Sequence, residues 1–319
     1  MKKFFRVFGV LICLGLVAAL GYNGLKNTAR TEKTEFLFDT VCTITVFERN
    51  CEKIVNEAFD EAAQIFDEAN FFDEESDVSR INNAEAGERV AVSENIIGML
   101  DMAKMVNEKS KGAFDITIAP VSMLWKFDEE SPVPPTEDEI LAELWKVGRD
   151  KLRLDKKQMT VLKEFSETRI DLGGIAKGYA ADKAVECLKS RGVESGIVDF
   201  GGNIVAFGEN PASKNHKWRI GIQKPFSPTG EYASVVEIDG GAVVTSGIYQ
   251  RFFDYQGRRY HHIIDPENGM PAAQEFESVS VVGEGSALMD CIATAVYVLG
   301  KTHGEALARE FGVEVLFCP

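Results

Sequence analysis

Basic residues are scarce in this chain and are not clustered. Lys and Arg number 35 against 50 Asp and Glu, for a formal net charge of −15. No basic run follows residue 6, which excludes the dense phosphate neutralisation that nucleic-acid binding requires. A phosphate-bearing small molecule would have to be held locally, by backbone dipoles, a few cations or a metal. Cysteine is thin as well: six residues at 13, 42, 51, 187, 291 and 318, with no CxxC pair, so a structural zinc site is not expected. Cys187 and Cys291 fall in apolar helical segments and read as small core hydrophobes, not as disulfide partners. The GxGxxG fingerprint is missing, which leaves a Rossmann dinucleotide site unsupported. Internal repeats and low-complexity tracts are missing too.

What is there begins with an N-terminus different in kind from the rest. Met1-Lys2-Lys3 and Arg6 precede an apolar run from Val7 to Tyr22, followed by polar Asn23 to Lys33. That order matches a secretion signal or an uncleaved anchor, short for a spanning helix. Ala19-Leu20-Gly21 offers a small-x-small cleavage site, and Cys13 lies too early in the run to be a lipid-attachment cysteine. Residues 1–33 are therefore expected to be signal or anchor plus linker, and 34–319 a folded domain.

In that domain, helical and strand patterns interleave without a regular βαβ repeat. Residues 36–48 alternate and are rich in β-branched side chains, so they read as one strand. An amphipathic stripe spans 52–70, and Ser93 caps a second helix that Gly112 stops. Thr136 to Glu139 form a capping box. Hairpins are expected at 151–162 and 252–264, and strands at 168–171, 196–200, 203–207, 218–223, 233–238, 242–245, 279–283 and 313–317. Helices are expected from the 173–174 glycine turn to Gly192 and from Ser286 to Leu299, with a further helix after it. The class is α+β, with mixed, largely antiparallel sheets and flanking helices.

Three constellations carry chemistry. DLGGIAKGYAAD (171–182) places two glycines before a helix whose first turn holds Lys177. Backbone without side chains lets an anion reach a helix N-terminus, although a tight turn alone also calls for glycine. A second pair, Gly201-Gly202, precedes Asn203 and either admits a ligand or makes a β-bulge. In SALMDCIATAVYVLG (286–300), Asp290 and Thr294 share one helix face. Their hard oxygens suit Mg²⁺; the plainer alternative is a capping or back-bonded pair. HHIIDPENG (261–269) sets His262 three residues before Asp265, as a proton shuttle or as a surface ion pair.

Together these segments resemble the ApbE family of FAD:protein FMN transferases, over nearly the whole expected domain. The likeness runs through Phe38-Asp39-Thr40-Val41, Ser79-Arg80-Ile81-Asn82 and Gly112-Ala113-Phe114-Asp115-Ile116-Thr117 with Pro120 and Trp125. It continues through the 171–182 segment, Gly201-Gly202-Asn203, Thr245-Ser246-Gly247, Tyr260 to Pro266, and the helix with Asp290 and Thr294. The resemblance implies transfer of the FMN half of FAD to a threonine hydroxyl of a partner protein, with AMP leaving. It implies Mg²⁺ on the Asp290 and Thr294 side chains and the Ala176 carbonyl. It implies FAD contacts from Thr40, Asp115, Lys177, Asp199, Asn203, Ser246 and His262. His262 is the candidate base or proton relay, oriented by Asp265. The acceptor would be an exported flavoprotein, such as an FMN-carrying subunit of a membrane redox complex, at the outer face of the cytoplasmic membrane. Two departures from the family pattern are Phe38-Asp39, where many members have Met-Gly, and Asn203, where aspartate is frequent. The rival readings are a Mg²⁺-dependent FAD pyrophosphatase and a non-catalytic flavin-binding protein.

Overall fold

The computed structural model describes residues 29–319; the expected signal or anchor falls almost wholly outside them. Alternating strands build a seven-stranded sheet in the order β1 (Thr31–Leu37), β2 (Thr40–Val46), β6 (Gly196–Phe200), β7 (Asn203–Phe207), β10 (Gly241–Gly247), β13 (Ser278–Gly283) and β14 (Glu314–Cys318). Every neighbouring pair runs antiparallel. The intervening numbers belong to smaller sheets: β3 (Arg89–Ala91), β5 (Thr160–Lys163) and β4 (Leu152–Asp155) in one, β8 (Trp218–Gln223) with β9 (Tyr232–Ile238), and β11 (Phe252–Tyr255) with β12 (Arg258–His261).

Side-chain parity gives the large sheet two faces. Cys42, Ile44, Val198, Phe200, Val205, Val244 and Val279 join the main core under helices α1 (Glu52–Ala69), α5 (Ala176–Ser190) and α6 (Ser286–Phe311). Ile197, Ile204, Ala206 and Val243 face the other way, onto Trp218, Ile220 and Ile222 of the β8–β9 hairpin. Between α1 and α5 the chain adds α2 (Asp77–Asn83), α3 (Glu94–Lys109) and α4 (Glu137–Leu144), apart from short turns at 116–125. The expected caps are in place: the Ser93 hydroxyl accepts from the Ile96 N–H, and Thr136 and Glu139 cap each other. Helix α6 breaks at Gly300 (φ 72°, ψ 178°), so two helices lie end to end there. Cys42, Cys51, Cys187, Cys291 and Cys318 are all free thiols. No helix among the described residues is long and apolar enough to cross a membrane.

Two expected strands are corrected. Residues 36–48 are not one strand, because Phe38 and Asp39 both take positive φ (52° and 56°) and fold the segment into the β1–β2 hairpin. A two-residue turn of this hand matches the twist of its flanking strands, and Phe38 meets the Phe66 ring edge-on at 5.2 Å. Residues 168–171 are extended but belong to no sheet, so Asp171 does not end a strand. Their partner is a side chain: the Asn82 amide donates to the Ile170 carbonyl (3.0 Å) and accepts from the Ile170 N–H (2.7 Å). This buried amide does the work of a neighbouring strand. The Asp171 N–H then donates to the Ile116 carbonyl at 2.8 Å, fastening the approach to the glycine turn.

Candidate functional site

The ends of β2, β6, β7 and β10 meet along one rim of the large sheet, bringing Thr40, Gly201-Gly202-Asn203 and Ser246 together. Strand parity turns Asn203 and Ser246 toward the helix-covered face, alongside Phe200 and Val244. Asn203 is 2% exposed, and its amide Nδ2 has no hydrogen-bond partner among the described residues. A buried, unpaired donor beside an open rim is costly unless a ligand accepts from it. Asp199 has the opposite parity. Its carboxylate accepts from the Gly202 N–H at 2.9 Å and burial raises its pKa, so it caps the turn from the far face.

Helix α5 begins at this rim. Asp171 Oδ1 accepts from the Gly173 N–H (2.8 Å), and the Leu172 carbonyl accepts from both Ile175 and Ala176. Lys177 donates its ammonium to the Gly173 carbonyl at 3.1 Å and so folds back over the turn. A Cβ on Gly174 would lie 3.0 Å from the Phe114 ring and 3.8 Å from Thr294 Oγ1; a Cβ on Gly178 would lie 2.5 Å from the Ser286 carbonyl. These two glycines let the start of α5 press against α6.

That approach sets the polar face of α6 against the glycine turn. Asp290 is 5% exposed, and its Oδ2 accepts from the Gly178 N–H at 3.3 Å, two residues after Ala176. Thr294 Oγ1 lies 3.3 Å from Ser246 Oγ, which links the helix to the sheet rim. A buried carboxylate with one long hydrogen bond to a neutral amide is poorly compensated, so a cation fits there. The Asp290 carboxylate and the Thr294 hydroxyl are hard oxygens of the kind that could ligate Mg²⁺. No group of three or more His, Cys, Asp or Glu side chains forms a metal cluster among the described residues.

One contributor is invisible at the level of motif. The Asp182 carboxylate accepts from the Ser286 N–H (2.7 Å) and the Ala287 N–H (2.9 Å), capping α6 from within α5. Gly285, the residue before α6, supplies no cap of its own. Asp182 thus sets the axial position of Asp290 and Thr294, and burial raises its pKa against the pull of those two bonds. The only signal in the sequence was its place at the end of the 171–182 segment.

Asp115 is bonded within its own segment. Its Oδ1 accepts from the Thr117 N–H (2.8 Å) and hydroxyl (2.6 Å), and its Oδ2 from Asn107 (3.1 Å). The carboxylate caps the 116–118 turn, and Phe114 of the same segment reaches the glycine turn.

The two adjacent histidines separate cleanly. His261 is buried, with Nε2 donating to the Ala272 carbonyl (3.1 Å) and Nδ1 accepting from the Ile263 N–H (3.3 Å). His262 donates from Nδ1 to the Arg251 carbonyl at 3.1 Å. A carbonyl only accepts, so the neutral ring carries its proton on Nδ1 and leaves the Nε2 lone pair free. Burial lowers its pKa to about 4, and the charges of Arg251, His261 and Lys177 push the same way. The ring is therefore neutral at pH 7 and within the field of Lys177. The expected pairing with Asp265 is not made: Asp265 accepts from the Glu267 N–H (2.9 Å) and Asn268 amide (2.8 Å), closing its own turn. The Arg251 carbonyl orients the imidazole instead.

Comparison with known proteins bears on this arrangement. Residues 38–317 match the model of the ApbE family. An FAD:protein FMN transferase of Treponema pallidum is 32% identical over 325 residues, covering 97% of this chain and 90% of the relative. One from Klebsiella pneumoniae is 34% identical over 236 residues, 74% of this chain and 72% of the relative. Among solved structures, the ApbE protein of Thermotoga maritima superposes with a TM-score of 0.82 at 31% identity, covering 90% of this chain and 94% of that one. The flavin transferase ApbE of Vibrio cholerae gives 0.80 at 29% identity, with 90% and 93% covered. On the match over residues 38–317 and these likenesses, the chain belongs to the ApbE family.

Proposed function

We propose that this enzyme transfers the FMN moiety of FAD to a threonine hydroxyl of a protein and releases AMP. The observation that carries the reading is the meeting of the α5 glycine turn with the Asp290–Thr294 face of α6, with a neutral imidazole, its Nε2 free, within the field of Lys177. The Asp290 carboxylate, the Thr294 hydroxyl and the Ala176 carbonyl would hold Mg²⁺, which when bound supplies charge neutralisation at a pyrophosphate. Lys177 and the N-terminus of α5 add positive potential for the phosphates. The Asn203 amide offers a donor to the flavin nucleotide, and Thr40 and Ser246 line the same rim.

His262 Nε2 accepts the proton of the incoming hydroxyl while the new O–P bond forms. The P–O bond to AMP breaks, and AMP carries away the bonding pair. A neutral imidazole suits the task, because a protonated ring has no lone pair left to accept the proton. Asp265 acts one step back, by fixing the turn that follows the histidine.

The basic start and apolar run of residues 1–33 support export and retention at the outer face of the cytoplasmic membrane. An exported FMN-accepting flavoprotein, such as a subunit of a membrane redox complex, would meet the enzyme there. The decisive experiment mixes the chain with FAD, Mg²⁺ and an FMN-accepting protein, and follows products by mass spectrometry. FMN bound covalently to a threonine with equimolar AMP is expected. Free FMN as the only flavin product would make the enzyme a pyrophosphatase, and intact FAD would make it a binding protein.

A further inference from the structure

The loop joining β8 to β9 holds an aromatic residue in a conformation it does not favour. Phe226 sits at φ 53°, in the left-handed region that a bulky side chain disfavours. Gln223 keeps the loop in that shape: its amide donates to the Lys224, Ser227 and Pro228 carbonyls, each at 3.1 Å. The result is a ring left 42% exposed beside the histidine hairpin.

Around that ring lies a built surface. Phe226 meets Phe252 edge-on at 5.5 Å and Tyr249 at 6.1 Å. The Arg259 guanidinium stacks over both Phe226 (4.5 Å) and Phe252 (4.2 Å). Its charge is met bidentately by Asp254, at 3.0 and 3.2 Å. Phe252 pairs across the hairpin with His261, and the neighbouring Arg251 carbonyl holds the His262 ring. Tyr249 follows two residues after Gly247, at the end of β10 that carries Ser246.

We propose that Phe226, Phe252 and Arg259 form the surface on which the acceptor polypeptide rests while its hydroxyl reaches His262. This rests on the transferase reading above. Position argues for it, since the His262 ring is hydrogen-bonded to the carbonyl of Arg251, the residue that precedes Phe252. Charge argues for it too. Arg259 covers one side of these rings and is itself neutralised by Asp254, so the aromatic area left exposed carries no free cation, which suits an apolar side chain or a peptide plane. The anionic half of FAD is served elsewhere, by Lys177 and the start of α5. The strain at Phe226 is the cost of presenting that face to a partner.

The test compares the chain with Phe226→Ser, using an FMN-accepting domain with a single acceptor threonine as the probe. The variant should raise KM for the acceptor about fivefold or more, the loss of one modest aromatic contact. FAD affinity, read by flavin fluorescence, should stay within about twofold, and Phe226→Tyr should restore the acceptor KM. Arg259→Gln gives a second perturbation of the same surface should the loop of the first variant rearrange. An acceptor KM unchanged in both variants overturns the docking surface alone. A parallel loss of FAD affinity also overturns it and makes the rings a flavin platform. A wild-type chain that forms no covalent adduct overturns the transferase reading and the docking surface together.

Discussion

The chain has two double-glycine turns at the same rim, and they are glycine for different reasons. Gly201 and Gly202 both take positive φ (63° and 94°), so the β6–β7 connection needs them for backbone shape. Gly173 and Gly174 do not lie in that region. At Gly174 the constraint is closeness: a Cβ there would press on Phe114 and point toward Thr294. One pair shapes a hairpin; the other clears space between a helix end and the polar face of α6. Two identical dipeptides therefore carry separate lessons, one about conformation and one about access.

If the first turn serves the chemistry, the largest effects belong to what it faces. Asp290→Ala should lower Mg²⁺-dependent FAD cleavage by on the order of 10²-fold or more, measured as AMP release. Asn203→Ala, on the second turn, should cost only about tenfold, expressed in KM for FAD, since it removes one hydrogen-bond donor. Equal losses in both variants would erase the distinction between the turns.

His262→Gln comes next, with flavin transfer expected to fall about 10²-fold as general-base assistance is lost. The wild-type pH profile gives the sharper measurement. The active form is the neutral ring, and burial holds its pKa at about 4. Activity should therefore stay level from neutral pH down through the ordinary histidine range, and fall only as pH drops toward 4. A profile that breaks near 6.5 would mean that the ring is solvated during turnover. His261→Asn should leave this profile in place, because both nitrogens of His261 are already engaged.

Much of this is legible in the sequence, and what is not shares a cause. Ser93 and Thr136 announced their helices because a cap acts within three residues. Asp290 and Thr294 could be paired because helical spacing is local. Asn82 could not be read as the partner of Ile170, nor Asp182 as the cap of α6, because those bonds span 88 and 104 residues. Asp199 and Asn203 flank one turn, yet strand parity puts them on opposite faces, and parity follows from a register that pattern alone does not supply. Asp265 lies three residues after His262, yet an Asp-Pro-Glu-Asn turn consumes its own first carboxylate. Local grammar found the site; long-range bonds decided which atoms in it are free.

The smallest expected effects test the two turns most directly. Gly202→Ala meets open space, with nothing within 4 Å of the new methyl, so its cost is the left-handed backbone alone. That is about 1 kcal/mol, or about 2–4 °C in Tm for a chain of this size, with FAD affinity little changed. Gly174→Ala has no such backbone penalty, and Phe114 need yield only a few tenths of an ångström. Stability should hardly move, while the methyl crowds the space in front of Thr294 and weakens FAD and Mg²⁺ binding about tenfold. Thermal melts and FAD titrations on the two variants should thus give opposite patterns: stability lost with affinity kept, and affinity lost with stability kept. If Gly174→Ala lowered Tm and spared binding, its glycine would be a matter of packing against Phe114. The access argument for the α5 turn would then fail, while the case for Asp290 would still stand on its own buried charge.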